Sequence, residues 1–125
     1  MNIYRGDIKE LALENTDFRR VLYTGNNAQI VVMCLKPGED IGEEVHDLDQ
    51  ILTFIEGTGK SVLDDKEYEI RQDLVFYVPK GTKHNFINTG SGHMKLYTIY
   101  SPAQHRDGTI HVTKQDAMMD DEDHA

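Results

Sequence analysis

The side chains with the most chemistry to offer are Glu44, His46, Gln50 and His84. In an extended segment Glu44 and His46 stand two residues apart and face the same way, so a carboxylate and an imidazole can point together into a barrel. Gln50 follows across the turn-prone stretch Asp47 to Asp49 and can return an amide oxygen to the same place if the strand resumes in matching phase. His84 enters from VPKGTKHNF, where Pro79 and Gly81 constrain the approach. Imidazole nitrogens with a carboxylate and an amide oxygen suit a divalent ion, and they do not distinguish iron, manganese, nickel or zinc. Two histidines and one carboxylate also match the donors of a non-haem iron triad, with open positions left for water or substrate. The competing reading takes EDIGEEVHDLD as an acidic, solvent-facing loop with His46 as surface decoration, and His84 as a hydrogen-bonded strand histidine.

Short strands punctuated by turns are what must position these groups. VLYTG at 21–25, AQIVVMCLKPG at 28–38 and DQILTFIEGTG at 49–59 are rich in β-branched or aromatic residues and stop at Gly or Pro. GKSVLDDKEYEI predicts a hairpin turning at Asp64 and Asp65, and DLVFYVPKGTKH, HNFINTG and HMKLYTIYSP continue the style. Eight to ten strands with no recurring helix between them predict an all-β sandwich or barrel. IKELALENTDF offers a helical turn, but the same region reads equally as an edge strand. Residues 1–20 are therefore taken as an N-terminal strand or irregular arm, 21–113 as the domain, and 114–125 as an acidic C-terminal tail, disordered or briefly helical.

Composition removes several function classes. The 125 residues carry 22 acids against 13 Lys and Arg, a formal charge of -9. Five of those acids fall in the final DAMMDDEDHA, and the rest of the chain still lacks the clustered cations that a phosphate backbone or an anionic membrane requires. The single cysteine, Cys34, excludes an intrachain disulfide and any CxxC site, and within IVVMCL it reads as a small core residue. With neither a signal-like apolar core nor a membrane-length apolar run, the expectation is a cytoplasmic protein. No serine sits in a nucleophile elbow, and no pair of acids has a distinctive glycosidase arrangement.

At the four candidate residues the sequence resembles the cupin superfamily, specifically small single-domain cupins similar to mannose-6-phosphate isomerase. The likeness spans roughly residues 21–113. Gly38 corresponds to the start of the first cupin motif, Glu44 to its first His, His46 to its second His, Gln50 to its usual Glu and Gly57 to its closing Gly. Pro79, Gly81, His84 and Asn88 keep the spacing of the second motif, whose opening Gly is here Asp73. The resemblance implies a cupin-type double-stranded β-helix, a jelly-roll barrel, with a divalent metal held inside by Glu44, His46, Gln50 and His84. It also implies a homodimer. Relative to the family's three His and one Glu, the carboxylate has moved to the first ligand position and a neutral amide replaces the Glu. That exchange either preserves the net ligand charge or leaves Glu44 free as a base.

The functional expectation is a metal-dependent oxygenase or isomerase of a polar or sugar-derived small molecule. The alternative is a noncatalytic cupin that binds a small ligand or regulates through one. Glu44 is the candidate proton shuttle, and Tyr23 or Tyr77 could orient a substrate oxygen or simply be a packed tyrosine. Met33, Phe54, Phe76, Phe86, Tyr97 and Ile99 could line the cavity or serve only as core. Gly57 and Gly59 are assigned to a tight hairpin, Arg106 to a salt bridge with Asp107 or Asp116, and His105 and His111 lie outside the primary site.

Overall fold

The computed structural model describes residues 2–120. The N-terminal stretch forms a helix, α1 (Ile8–Glu14), in place of the expected strand or irregular arm. Asp7 starts it by accepting the Glu10 N–H at 3.1 Å, which satisfies one of the free donors of the first turn. Ala12 is buried against the body of the protein, and α1 packs on β2 (Gln29–Leu35), β3 (Asp49–Glu56) and β8 (Met94–Ser101). Just past the helix the Asn15 carbonyl accepts from the buried Lys95 ammonium.

Two sheets carry the fold. The larger has the order β6-β3-β8-β2-β1-β9, adding β1 (Arg19–Thr24), β6 (Val75–Val78) and β9 (Ile110–His111). The smaller is β5-β4-β7, from β4 (Gly59–Leu63), β5 (Lys66–Ile70) and β7 (His84–Asn88). Every pairing is antiparallel, and the two sheets form the cupin-type jelly roll. Because side chains alternate across a strand, register defines rows on the inner face. One row is Arg19, Met33, Leu96 and Phe54; the next holds Val31, Thr98 and Leu52; a third holds Gln29, Tyr100, Gln50 and Val78. Leu52, Phe54, Phe86 and Leu96 are among the side chains that close the core between the sheets.

Turn chemistry follows the residues. Asp64 and Asp65 take φ of 48° and 69°, the left-handed pair that a two-residue hairpin between β4 and β5 needs. Gly57 and Gly59 do not close a hairpin as expected. They form a corner at which the chain leaves one sheet for the other, since β3 pairs with β6 and β8 whereas β4 pairs with β5 and β7.

Asp73 adopts φ 71°, so the position that carries Gly in the motif does require a left-handed backbone. Asp73→Gly removes about 1–2 kcal/mol of left-handed strain and adds about 0.5–1 kcal/mol of unfolded-state entropy. A net gain of about 0.5 kcal/mol in urea unfolding is expected, and a loss would show that the Asp73 side chain contributes more than its strain costs.

Packing runs past residue 113. Helix α2 (Lys114–Met118) begins with a reciprocal Thr113–Asp116 capping box and places Ala117 in the core. Lys114 bonds the Asp40 carboxylate, tying α2 to the loop after β2. Arg106 pairs with Asp120 at 2.9 Å, in place of the expected Asp107 or Asp116. Part of the expected acidic tail is thus helical, while its residues 121–125 lie outside the described residues. Among the described residues no helix is long and apolar enough to cross a membrane.

Candidate metal centre

Residues 40–44 run antiparallel along β7 through bridges at Asp40–Ile87 and Glu44–His84. The Glu44 N–H donates to the His84 carbonyl at 2.9 Å, and the His84 N–H returns a 2.9 Å bond to the Glu44 carbonyl. Directly opposed residues of a ladder project to the same face, which puts the carboxylate beside the imidazole. His46 lies two residues beyond Glu44 with its carbonyl held by the Gly81 N–H at 2.9 Å. The His46 and His84 rings are 5.0 Å apart, and His46 Nε2 is 3.2 Å from Glu44 Oε2.

Gln50 approaches from the other sheet. It stands in register with Tyr100, whose ring meets His46 edge-on at 6.0 Å. Gln50 is 2% exposed; its Nε2 donates to Thr98 Oγ1 at 3.1 Å, and its Oε1 is buried with no hydrogen-bond partner. His84 Nδ1 is 2.8 Å from the Thr82 carbonyl. A carbonyl only accepts, so Nδ1 carries the hydrogen and a neutral His84 keeps its lone pair on Nε2. Burial holds His46 below the usual imidazole range; the Glu44 carboxylate opposes that, while His84, His105 and Arg19 add to it.

Among the described residues no group of three or more His, Cys, Asp or Glu is gathered as a metal-holding cluster. Glu44 is turned onto His46, so the two donors satisfy each other.

The tyrosines proposed for catalysis are elsewhere, which corrects that expectation. Tyr77 is 58% exposed on edge strand β6 and donates to the Asp49 carboxylate. Tyr23 donates to the Asn2 carbonyl at 3.0 Å and stacks on Tyr4. Tyr97 and Ile99 alternate with the inward Leu96, Thr98 and Tyr100, so they face outward and line a groove with Tyr4 and Ile8. Met33, Phe54 and Phe86 are fully buried core, with Phe76 packed against them, and Cys34 is buried and free.

Sequence reasoning missed Thr98 and Tyr100, and it set His105 outside the primary site. His105 meets Tyr100 edge-on at 5.0 Å. Alternation in MKLYTIYS does place Thr98 and Tyr100 in phase with Leu96, a usable signal; nothing local marks His105.

A jelly roll of two antiparallel sheets with histidines on its inner face defines the cupin class. The family model described as "Cupin domain" matches residues 31–100, and the chain belongs to that family. It is similar to the uncharacterised protein YrkC of Bacillus subtilis, 40% identical over 119 residues, covering 90% of this chain and 64% of the relative's length. The uncharacterised protein L612 of Acanthamoeba polyphaga mimivirus is 38% identical over 117 residues, covering 90% of this chain and 73% of its own. The crystal structure of BH2720 from Bacillus halodurans superimposes with a TM-score of 0.92 at 40% identity, over 94% of each chain.

Proposed function

We propose that this cupin holds a divalent ion through Glu44, His46, Gln50 and His84 and acts on a polar or sugar-derived small molecule as a metal-dependent oxygenase or isomerase. The observation that carries this reading is the Gln50 amide oxygen, buried and without a partner. Such an acceptor costs about 1–3 kcal/mol, which a cation at Oε1 would offset. His84 supports it, because an imidazole whose Nδ1–H is anchored on a carbonyl is preorganised to ligate through Nε2. The lowered pKa of His46 works in the same direction by keeping the ring neutral.

When bound, a divalent ion supplies Lewis acidity for isomerisation or, if redox-active, oxygen chemistry. The chain's own groups do the rest. In the version where His46, Gln50 and His84 would hold the ion without it, Glu44, part-exposed, takes or returns a proton at Oε2 once it is released from His46. The rings of Phe54, Phe76 and Phe86 pack together and exclude water from the core. The isomerase version follows the resemblance to the mannose-6-phosphate isomerase-like cupins, and the oxygenase version follows the donor set. A homodimer in the cytoplasm, with no nucleic-acid partner, completes the reading; exposed Val75 and Tyr77 on edge strand β6 are compatible with pairing of copies.

The test is titration of the chelated chain with manganese, ferrous iron, nickel and zinc under anaerobic conditions. One ion per chain, bound on the order of micromolar or tighter, is expected. If none binds, the metal reading fails and the noncatalytic ligand-binding alternative stands. Oxygen uptake that needs both iron and substrate would support the oxygenase; anaerobic turnover with manganese or zinc would remove it.

Gln50→Glu provides a further check. A second carboxylate should tighten metal binding by about tenfold or more while destabilising the metal-free chain, because a buried charge then lacks a partner. Calorimetric titration and thermal melts with and without chelator read the two effects. Unchanged affinity would place Gln50 outside the ligand set.

A further inference from the structure

Arg19 is a charged residue in the wrong place for a structural cation. It is 3% exposed and lies on the inner face of β1, in register with Met33 on one side and His111 on the other. Its Nη1 is 3.2 Å from His111 Nδ1, its guanidinium sits 5.2 Å from the centre of the Phe18 ring, and its Nε is buried with no hydrogen-bond partner. A guanidinium only donates, so His111 accepts at Nδ1 and gives its Nε2 hydrogen to Asp120 Oδ2 at 2.9 Å. Asp120 is already engaged by Arg106, whose Nη2 reaches both carboxylate oxygens at 2.9 and 3.0 Å. Among the described residues, then, the nearest carboxylate in this chain of contacts reaches Arg19 only through the His111 ring.

An arginine cannot shed its proton in a protein, and an ion out of water without a counter-ion costs several kcal/mol. The position of Arg19 suggests what compensates. It lies on the inner face of the six-stranded sheet, the face that also carries Gln50. With Nη1 spent on His111, the Nε edge of the fork remains, and that edge is the one a planar carboxylate takes with two parallel hydrogen bonds.

We propose that Arg19 is the binding group for a carboxylate on the small-molecule ligand, which makes the ligand class a small organic acid. The carboxylate seats on the guanidinium inside the barrel, and the remainder of the molecule extends toward Glu44, His46, Gln50 and His84. The role of that second end rests on the proposed function; the carboxylate seat does not. The same fork also fits two phosphate oxygens, so inorganic phosphate is the competitor that the experiment must separate from a carboxylate.

The experiment uses the full chain, metal-free and metal-loaded, with propionate and malonate as probes, propionamide as the uncharged control and inorganic phosphate as the competing anion. Binding is read by calorimetry and thermal melts. The carboxylates should bind the metal-free parent and raise its melting temperature, and the amide should do neither. Arg19→Met removes an unpaired buried charge at similar volume, so the ligand-free melting temperature should rise while carboxylate affinity falls by about tenfold or more. Arg19→Lys should keep part of the affinity, and it gives the same comparison if Arg19→Met does not fold. Equal carboxylate binding by parent and both variants, or no carboxylate binding by the parent, overturns the proposal. Preference for phosphate overturns the ligand class. Normal metal uptake without a carboxylate response refutes Arg19 alone, whereas a carboxylate response without metal uptake refutes the metal reading alone.

Discussion

Replacing His84 with alanine is expected to lower divalent-metal affinity by at least about 100-fold, beyond the 10–100-fold typical of losing a residue that only supports a ligand. The substitution removes a proposed donor and the Nδ1–H bond to Thr82 that orients it. It also removes the ring that faces His46 at 5.0 Å. His46→Ala should match it, since the two rings face each other and both are proposed ligands. Exposed His93, replaced in the same way, should leave the titration unchanged. The pH profile supplies an independent reading. Burial lowers the His46 pKa from its ordinary 6.5, so the ring stays neutral to lower pH and uptake should weaken only below that value. If metal content is the same in the parent, His46→Ala and His84→Ala proteins, the centre is not a metal site.

Gly59→Ala should be the most destabilising small substitution in the molecule, costing roughly 3 kcal/mol or more, at or above the upper end for overpacked sites. A Cβ on Gly59 would fall 2.1 Å from the Ile87 carbonyl oxygen and 2.6 Å from the Met94 methyl. The methyl can swing, but the carbonyl belongs to β7. That strand is fixed on one side by the β4 ladder and on the other by the residue 40–44 segment, and Asn88 anchors its end to the Leu35 and Gly92 carbonyls. Relief would require β7 to move, and β7 carries His84, so metal affinity should fall with stability. Gly38→Ala is the contrast. Gly38 has φ 82° with nothing within 4 Å of an added Cβ, so its cost should stay at the backbone strain of about 1–2 kcal/mol. Chemical denaturation of both variants decides the matter; similar losses would show that β7 yields where its bonding says it should not.

The strand pattern was legible because each inner-facing residue alternates with an outer one, and the turns are marked by Gly, Pro and Asp pairs. Asp64 and Asp65 announced a hairpin that the structure forms. Gly57 and Gly59 announced one that it does not. Local composition reports that the chain turns, but which strand accepts the next ladder is a long-range choice. The N-terminal helix was ambiguous for a related reason: seven residues with one buried alanine carry little periodicity, and packing on β2, β3 and β8 selects the helix.

The candidate centre divides in the same way. Spacing alone put Glu44 and His46 on one side of an extended segment, and the motif spacing around Pro79 and Gly81 singled out His84. Opposition of Glu44 to His84 across a bridge, and the arrival of Gln50 beside Tyr100 from the second sheet, come from pairings between distant segments. Tyr23 and Tyr77 looked equally able to serve, and strand phase with edge position took them out of the interior.

By itself, then, the sequence determined the all-β class, the segments that extend and bend, and the donor types able to meet. Only the tertiary structure decided which donors meet, that Gln50 keeps an unpartnered oxygen, and that Arg19 is buried on the same interior face. The physical reason is that alternation and turn propensity act over a few residues, whereas burial and electrostatic partnership are set by ladders joining residues far apart in the chain.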